Sequence, residues 1–149
     1  MSFSLPPDHV LLDRRFTSKR EVIEAIGRIM VEAGEVGPAY ARGMLEKEEQ
    51  YSTWITEGVA LPHGTNDVKC EARRNSVVVV QLPAGVDWGE GKTVYVAIGF
   101  AGRGDDEHVG LLAGLAGVLQ YPENIERLKF SGSVEEVTRI LTVDQEVSS

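Results

Sequence analysis

The chain has 149 residues, a length typical of one domain, and carries a formal net charge of −8 at neutral pH. Its composition, 42% hydrophobic and 26% charged, is ordinary for a globular protein, and no apolar run approaches the roughly 20 residues of a membrane span. An acidic chain of this kind is a poor nucleic-acid binder, because phosphate contacts come from Lys and Arg, and it suits basic protein partners better.

The numbers of cysteines and histidines argue against further classes of protein and site. The only cysteine, Cys70, excludes an internal disulfide, and one cysteine with three histidines argues against a structural zinc site. The N-terminal segment lacks the basic and apolar regions of a signal peptide. We therefore expect a cytoplasmic protein without membrane insertion.

The first half of the chain predicts two helices. Residues 18–34 carry apolar side chains at helical spacing, and Ser18 with Glu21 forms a capping box. A second helix is expected over residues 38–49, with Gly37 as its cap. Its last four residues, a charged run, fit a solvated face and a partner-facing surface equally well.

Buried strands are predicted on either side of a glycine-rich turn. Residues 76–82 contain four consecutive valines, which indicates burial on both faces, and Pro83 is expected to end this strand. Residues 93–102 predict a second buried strand. Weaker segments are a short strand at residues 9–12, irregular chain over 50–57 and a polar loop over 66–75.

The last third of the chain predicts three helices, at residues 108–120, 122–130 and 133–141. Helices before and after buried strands favour an α/β layer architecture, with a central sheet covered by helices on both faces. We expect a single domain over residues 1–149. The pattern leaves strand order and direction open.

His63 stands between Pro62 and Gly64, directly after the apolar run 59–61. Pro62 fixes the backbone before the imidazole, and Gly64 lets the chain turn and leaves a bare amide beside the ring. Thr65 adds a hydroxyl donor. This setting suits a nucleophilic imidazole, which needs a fixed ring and donors where an anion will land. From spacing alone, a turn histidine without chemistry fits slightly better.

The other two histidines occupy less constrained positions. His9 is expected at the surface or in an edge strand. His108 falls in the first turn of a predicted helix capped by Asp105 or Asp106, where free amides and the helix dipole favour a bound phosphate and a neutral imidazole. On position alone, a solvated histidine is the simpler interpretation of His108.

Competing catalytic motifs are absent from the sequence. It contains no Walker loop, no Gly-x-Ser-x-Gly elbow and no His-Glu-x-x-His, and the glycines of GFAGRG do not complete Gly-x-Gly-x-x-Gly. We expect no cofactor.

The segment GVALPHGT, residues 58–65, resembles the active-site segment of mannitol–fructose class enzyme IIA proteins of the bacterial phosphoenolpyruvate-dependent sugar phosphotransferase system. Similarity to the mannitol-type subgroup extends over about residues 9–141, through MLEKEE, VVVVQLPAGVDWGEG, AIGFAGRGDDEHVGLLAGLAGVL and PENIERLKFSGSVEEVTRIL. The resemblance implies a sheet of mixed direction between helices, and no metal.

The resemblance also implies the chemistry of the two histidines. His63 would be the phosphorylated nucleophile, and His108 would lie beside it and stabilise the phosphoryl group. The amides around Gly64 and the Thr65 hydroxyl would support the phosphoryl oxygens. The donor would be the histidine-containing phosphocarrier protein, and the acceptor a cysteine of a mannitol-type enzyme IIB.

Two further positions follow from the same resemblance. Glu57 maps to a glutamate six residues before the active histidine, and either Glu57 or a backbone carbonyl would hold one nitrogen of that ring. Lys47 stands where the family has an arginine, so the charge is kept but the bidentate fork is lost. Arg42, about one turn earlier, is the alternative cation.

Three other functions remain open from the sequence. A nitrogen-type regulatory enzyme IIA would carry the same Pro-His-Gly segment but act by binding other proteins. A ligand-binding or structural domain would leave His63 inert. A metal-dependent hydrolase is the most distant alternative.

Overall fold

One mixed sheet organises the protein. The computed structural model describes residues 3–148, and the side chains of residues 3–142. The strands are β1 (Val10–Leu11), β2 (Trp54–Thr56), β3 (Val59–Ala60), β4 (Ser76–Gly89) and β5 (Lys92–Ala101). They lie in the order β1-β4-β5-β3-β2; β1 is parallel to β4 and β3 to β5, and the other two pairs are antiparallel. The mixed sheet implied by the resemblance is confirmed.

Besides the strands, the described residues form five α-helices and two short 3-10 helices. The α-helices are α1 (Lys19–Glu32), α2 (Pro38–Gln50), α3 (Asp105–Leu119), α4 (Pro122–Phe130) and α5 (Val134–Ser148). The 3-10 helices are Pro7–His9 and Asn66–Glu71. As predicted, the Ser18 hydroxyl caps α1 by accepting a hydrogen bond from the Glu21 amide at 3.2 Å. The Glu21 carboxylate, however, accepts from the Thr17 amide.

Each face of the sheet has its own apolar core. Val77 and Val79 of β4 pack on the side of α3, α4 and α5. Val78 and Val80 point the other way and pack against α1 and α2. Successive side chains of a strand alternate between faces, so a run of four valines serves two cores at once. The predicted layer architecture, helices on both faces, is therefore confirmed.

Three local predictions were wrong. Pro83 does not end β4, because it falls within a register shift between Gln81 and Val86 where the ladder is interrupted. Residues 50–57 include the edge strand β2. The cap of α3 is Gly104, whose φ of 87° suits a residue without a Cβ, and neither predicted aspartate caps the helix.

His9 is buried and does not lie at the surface. Its Nδ1 lies 2.9 Å from Asp8 Oδ1, and its Nε2 lies 2.7 Å from Glu35 Oε1. The Ser76 hydroxyl donates to the same Glu35 oxygen at 2.7 Å. This buried cluster ties the N-terminal segment to the sheet.

Within the described residues, no helix is long and apolar enough to cross a bilayer.

Candidate active site

Two histidines distant in sequence meet at one edge of the sheet. His63 follows β3, and His108 lies in the first turn of α3, which follows β5. Because β3 and β5 are parallel neighbours, their carboxyl ends lie side by side. The ring centroids of His63 and His108 are 5.3 Å apart, and the Phe100 ring lies 4.9 Å from the first and 5.1 Å from the second.

The imidazole of His63 is held in one tautomer. Its Nδ1 lies 2.8 Å from the backbone oxygen of Leu61. A carbonyl oxygen only accepts hydrogen bonds, so Nδ1 carries the proton and Nε2 keeps its lone pair. The nitrogen that is free to act as a nucleophile is therefore Nε2, and of the two expected partners of the ring the backbone carbonyl is the one that holds Nδ1.

Backbone contacts fix the segment on both sides of His63. The Leu61 amide donates to the Thr53 oxygen at 2.9 Å, and the Phe100 amide donates to the Pro62 oxygen at 3.0 Å. The Gly64 amide donates to the Tyr40 hydroxyl at 3.1 Å. This buried hydroxyl in turn donates to the Phe100 oxygen at 2.9 Å, and its burial raises the pKa of Tyr40 to about 12.

Close packing between the backbones of Gly102 and His108 fixes the position of His108. Its amide donates to the Gly104 oxygen at 3.0 Å. A Cβ on Gly102 would lie 2.4 Å from the backbone nitrogen and Cα of His108, so only glycine lets α3 begin this close to β5. The ring is buried, and its Nδ1 has no hydrogen-bond partner among the described residues.

Both imidazoles are held neutral at physiological pH. Burial is the largest cause that lowers the pKa of His63, and the charges of Lys47 and Lys69 lower it further, against the Leu61 carbonyl and Glu48. Burial also lowers the pKa of His108 to about 4, aided by His63 and the two lysines and opposed by Asp105. A neutral imidazole is the form that can attack phosphorus.

Two ammonium groups make the site receptive to an anion. Lys47 lies on α2, and its Nζ is 5.2 Å from the centre of the Tyr51 ring. Lys69 lies on the 3-10 helix Asn66–Glu71, with its Nζ 3.5 Å from Asp105 Oδ1. Arg42, the alternative cation, is exposed and lines a groove between α1 and α2 away from the histidines.

The predicted donors next to His63 are already engaged within the protein. The Gly64 amide is bound by Tyr40, and the Thr65 hydroxyl donates to the Asp67 carboxylate. A Cβ on Gly64 would lie 2.9 Å from the ring of Tyr40 and from Val68. These two residues therefore shape the segment around the histidine, and their assignment as phosphate ligands stays a prediction.

Glu57 does not reach His63. It is exposed in the turn before β3, at the opposite end of that strand from the histidine, and lines a groove with Trp54 and Lys92. A strand advances about 3.3 Å per residue, so six residues of extended chain separate two side chains widely. Of the two alternatives expected to hold the ring, the structure therefore shows the backbone carbonyl and not Glu57.

Sequence reasoning missed three residues of the site: Tyr40, Glu48 and Lys69. Tyr40 and Glu48 resembled ordinary helix positions, and Lys69 lay in a segment predicted to be a loop. Glu48 belongs to the charged run at the end of α2. Its side chain is buried there, whereas those of Glu46 and Glu49 are exposed. Among the described residues, no group of three His, Cys, Asp or Glu could hold a metal ion.

Comparisons with known proteins show the family of this chain. The family model described as "Phosphoenolpyruvate-dependent sugar phosphotransferase system, EIIA 2" matches residues 3–143. The mannitol-specific phosphotransferase enzyme IIA component of Staphylococcus aureus (strain Mu50 / ATCC 700699) is 35% identical over 140 residues, covering 94% of this chain and 96% of that protein.

Two further relatives extend the comparison. The multiphosphoryl transfer protein of Escherichia coli O157:H7 is 42% identical over 123 residues, which cover 83% of this chain but only 32% of that longer protein. An NMR structure of the complex of enzyme IIAMTL and phosphorylated enzyme IIBMTL from Escherichia coli superposes with a TM-score of 0.88 at 34% identity, covering 95% of this chain and 99% of the matched one. The chain thus belongs to the EIIA 2 family of the phosphoenolpyruvate-dependent sugar phosphotransferase system.

Proposed function

We propose that this chain is a cytoplasmic, mannitol-type phosphoryl carrier that holds a phosphoryl group on Nε2 of His63. The hydrogen bond from His63 Nδ1 to the Leu61 oxygen carries the proposal, because it leaves Nε2 as a free nucleophile. The S. aureus relative, which is named mannitol-specific and matches along nearly its whole length, supports the mannitol assignment.

The first step is acceptance of a phosphoryl group from a phosphohistidine on the histidine-containing phosphocarrier protein. The lone pair of His63 Nε2 attacks phosphorus and forms the new N–P bond. The N–P bond of the donor breaks, and its electron pair returns to the donor imidazole. Such transfers need mainly positioning and charge stabilisation, because little covalent work is left to the protein.

Lys47, Lys69 and His108 supply that stabilisation. Both ammonium groups act on both imidazoles, and they would offset the charge of the phosphoryl oxygens. His108 lies against the His63 ring, where a neutral imidazole can donate a hydrogen bond. A lysine in place of the family's arginine keeps the charge and presents it as a single point.

The second step passes the phosphoryl group to a cysteine of a mannitol-type enzyme IIB. The cysteine thiolate attacks phosphorus, the S–P bond forms, and the bond to His63 Nε2 breaks. The similar Escherichia coli structure contains phosphorylated enzyme IIBMTL as the partner, which supports a partner of this type. His63 is half-buried, so it stays accessible to such a protein.

Phosphorylation by purified components tests this function. The protein is incubated with phosphoenolpyruvate, enzyme I and the phosphocarrier protein, and acid-labile mass gain is measured. We expect one phosphoryl group on the wild type and none on His63→Ala. His108→Ala should accept the group more slowly or lose it sooner. A full gain in His63→Ala would refute the assignment.

A transport assay separates this proposal from a regulatory role. The gene is introduced into cells that lack their own mannitol enzyme IIA, and mannitol uptake is measured. Restored uptake that depends on His63 supports a transport carrier. Phosphorylation in vitro without restored uptake would instead favour a regulatory enzyme IIA.

The role of Lys47 can be tested by comparison with Arg42, because substitution of either residue removes one positive charge from α2. We expect Lys47→Met to slow phosphoryl acceptance by up to about 100- to 1,000-fold, the usual loss when one preorganised donor to the transition state is removed. Arg42→Met should stay near the wild-type rate, because Arg42 lies in the groove between α1 and α2. Equal rates for the two variants would contradict the role of Lys47.

A further inference from the structure

The carboxylate of Glu48 is buried near the site, in a chain segment where its neighbours Glu46 and Glu49 are exposed. A buried carboxylate is costly unless charged or hydrogen-bonded partners compensate it. Glu48 has such partners on two sides. Lys19 Nζ lies 3.5 Å from its Oε2, and the Thr53 amide donates to its two oxygens at 3.3 and 3.2 Å. The Thr53 hydroxyl donates to it as well.

Thr53 connects this carboxylate to the histidine. The Thr53 backbone oxygen accepts the hydrogen bond of the Leu61 amide at 2.9 Å. The backbone oxygen of Leu61 accepts from Nδ1 of His63 at 2.8 Å. Glu48 thus holds the amide and the hydroxyl of Thr53. The Thr53 carbonyl holds the amide of Leu61, and the Leu61 carbonyl holds the ring of His63.

We propose that Glu48 is a positioning residue of this site, which selects the Nδ1–H tautomer of His63 through Thr53 and the Leu61 carbonyl. The catalytic part of this inference rests on the proposed function. Without Glu48, the turn after α2 would lose the acceptor that binds the Thr53 amide and hydroxyl. The Leu61 carbonyl would then no longer be held in one place, and the ring would populate the tautomer with its proton on Nε2. That tautomer has no lone pair at the reacting atom.

The charge of Glu48 gives a second, independent link to the ring. Three ionisable groups act on the pKa of His63: Lys47 and Glu48 from α2, and Lys69 from the 3-10 helix Asn66–Glu71. The ring of His108 from α3 also faces His63, which lowers the pKa of His108. Of the three groups, Glu48 raises the pKa of His63, whereas the two lysines lower it. Removing the charge of Glu48 should therefore lower the pKa of His63 further.

Three variants and one control test the proposal. Glu48→Gln removes the charge and leaves one acceptor oxygen for three donors, the Lys19 ammonium and the amide and hydroxyl of Thr53. Thr53→Val removes only the hydroxyl donor at nearly constant volume, and Thr53→Ser keeps it. Glu49→Gln is the matched control, because Glu49 is the exposed neighbour on the same helix and carries the same charge. Circular dichroism and thermal melting establish that each variant is folded.

The readouts are the nitrogen chemical shifts of His63, its titration, and the rate of phosphoryl acceptance. In the wild type and in Glu49→Gln, we expect Nδ1 protonated and Nε2 bare at neutral pH. In Glu48→Gln and Thr53→Val, the Nε2–H tautomer should appear and acceptance should slow by about tenfold or more, since small displacements are costly in a preorganised site. Thr53→Ser should resemble the wild type. The His63 pKa should fall in both Glu48→Gln and Thr53→Val, because both weaken the bond to the Leu61 carbonyl, and it should fall further in Glu48→Gln, which also loses the carboxylate charge.

Unchanged tautomer and rate in both Glu48→Gln and Thr53→Val would overturn the proposal. A slower rate with an unchanged tautomer would also overturn it, because Glu48 would then act through its charge alone. Wild-type protein that takes no phosphoryl group would refute the proposed function instead. In that event the nitrogen shifts of the unphosphorylated variants still decide whether Glu48 sets the tautomer.

Discussion

The two imidazoles of the site have unequal surroundings, and the difference suits unequal roles. His63 has its Nδ1 bound by a carbonyl oxygen, so its proton cannot move to the reacting nitrogen without breaking that bond. His108 has a buried Nδ1 with no partner among the described residues, so its tautomer is free to respond to a neighbour. The first ring is fixed with Nε2 free, as the proposed nucleophile requires, and the second is free to adapt to a phosphoryl group.

The titration of His108 tests this distinction. In the free protein its ring should remain neutral down to a pKa of about 4, below the ordinary value, because burial and the neighbouring cations disfavour imidazolium. Phosphorylation of His63 places a negative group beside it, so we expect the pKa of His108 to rise. NMR titration before and after phosphorylation measures the change. A value at or above that of a free histidine in the unphosphorylated protein would contradict the burial argument.

At the scale of single elements, Tyr40 joins α2, β5 and the His63 segment through one hydroxyl. Tyr40→Phe would leave the buried Gly64 amide without an acceptor, and an unsatisfied buried donor costs about 1–3 kcal/mol. We expect urea denaturation to show a loss of unfolding free energy of that size. Tyr51→Phe is the control, since Tyr51 is 70% exposed and its hydroxyl should matter little. Equal stability of the two variants would show that the hydroxyl bridge is unimportant.

The start of α3 can be tested with glycine substitutions. Gly102→Ala would place a Cβ 2.4 Å from the backbone of His108, so α3 must shift. We expect a loss of about 1–3 kcal/mol, as for other overpacked sites, together with slower phosphoryl acceptance. Gly114→Ala, within the same helix, meets no atom within 4 Å and should add up to about 1 kcal/mol. The denaturation midpoints of the two variants test whether Gly102→Ala destabilises the protein and Gly114→Ala stabilises it. Stabilisation by Gly102→Ala would contradict the close approach of α3 to β5.

Elements with local signals were predictable, and those defined by distant contacts were not. The cap at Ser18 and the valines of β4 act within a few residues, so the sequence pattern suffices for them. The strand β2 has three residues and a bulged register with β3, which leaves no period to detect. The prediction that Pro83 ends the strand was wrong for a related reason, since its missing amide is harmless where the ladder shifts register.

The same division applies to the site. His63 was recognisable from Pro62 and Gly64, because those neighbours fix its backbone locally. The donors of Gly64 and Thr65 were expected to face an anion, yet folding supplies them with internal partners. Glu48 was invisible as a site residue, because its significance depends on Thr53 and on the strand that Thr53 precedes.

For the molecule as a whole, the buried His9–Glu35 pair predicts a pH window of stability. The hydrogen bond to Glu35 is the main cause that raises the pKa of His9, whereas the pKa of Glu35 is lowered by His9 and Ser76 despite the opposing effect of its burial. The His9 contribution is complete below the unfolded histidine pKa of about 6.5 and is lost as pH rises through the raised value. The Glu35 contribution is complete above the unfolded pKa of about 4.3 and is lost as pH falls through the lowered value.

The wild type should therefore exceed His9→Gln in stability most clearly at about pH 5.5, and the difference should shrink at about pH 8.5. Urea denaturation at the two pH values gives the comparison. His63 and His108 have lowered pKa values and lose stability toward acid, but they are present in both proteins and cancel in the difference. A difference that grows toward alkaline pH would contradict the pairing.

The parallel pairing of β3 with β5 has a consequence for how the protein matures. The antiparallel hairpin of β4 and β5 can form from adjacent chain, whereas β3 must find β5 across the intervening hairpin strand. Until it does, His63 and His108 belong to separate parts of the chain and the proposed acceptor site is incomplete. A nascent or partly unfolded molecule would thus be a poor acceptor from the donor pool, and rapid labelling of His63 would mark molecules that have completed their topology.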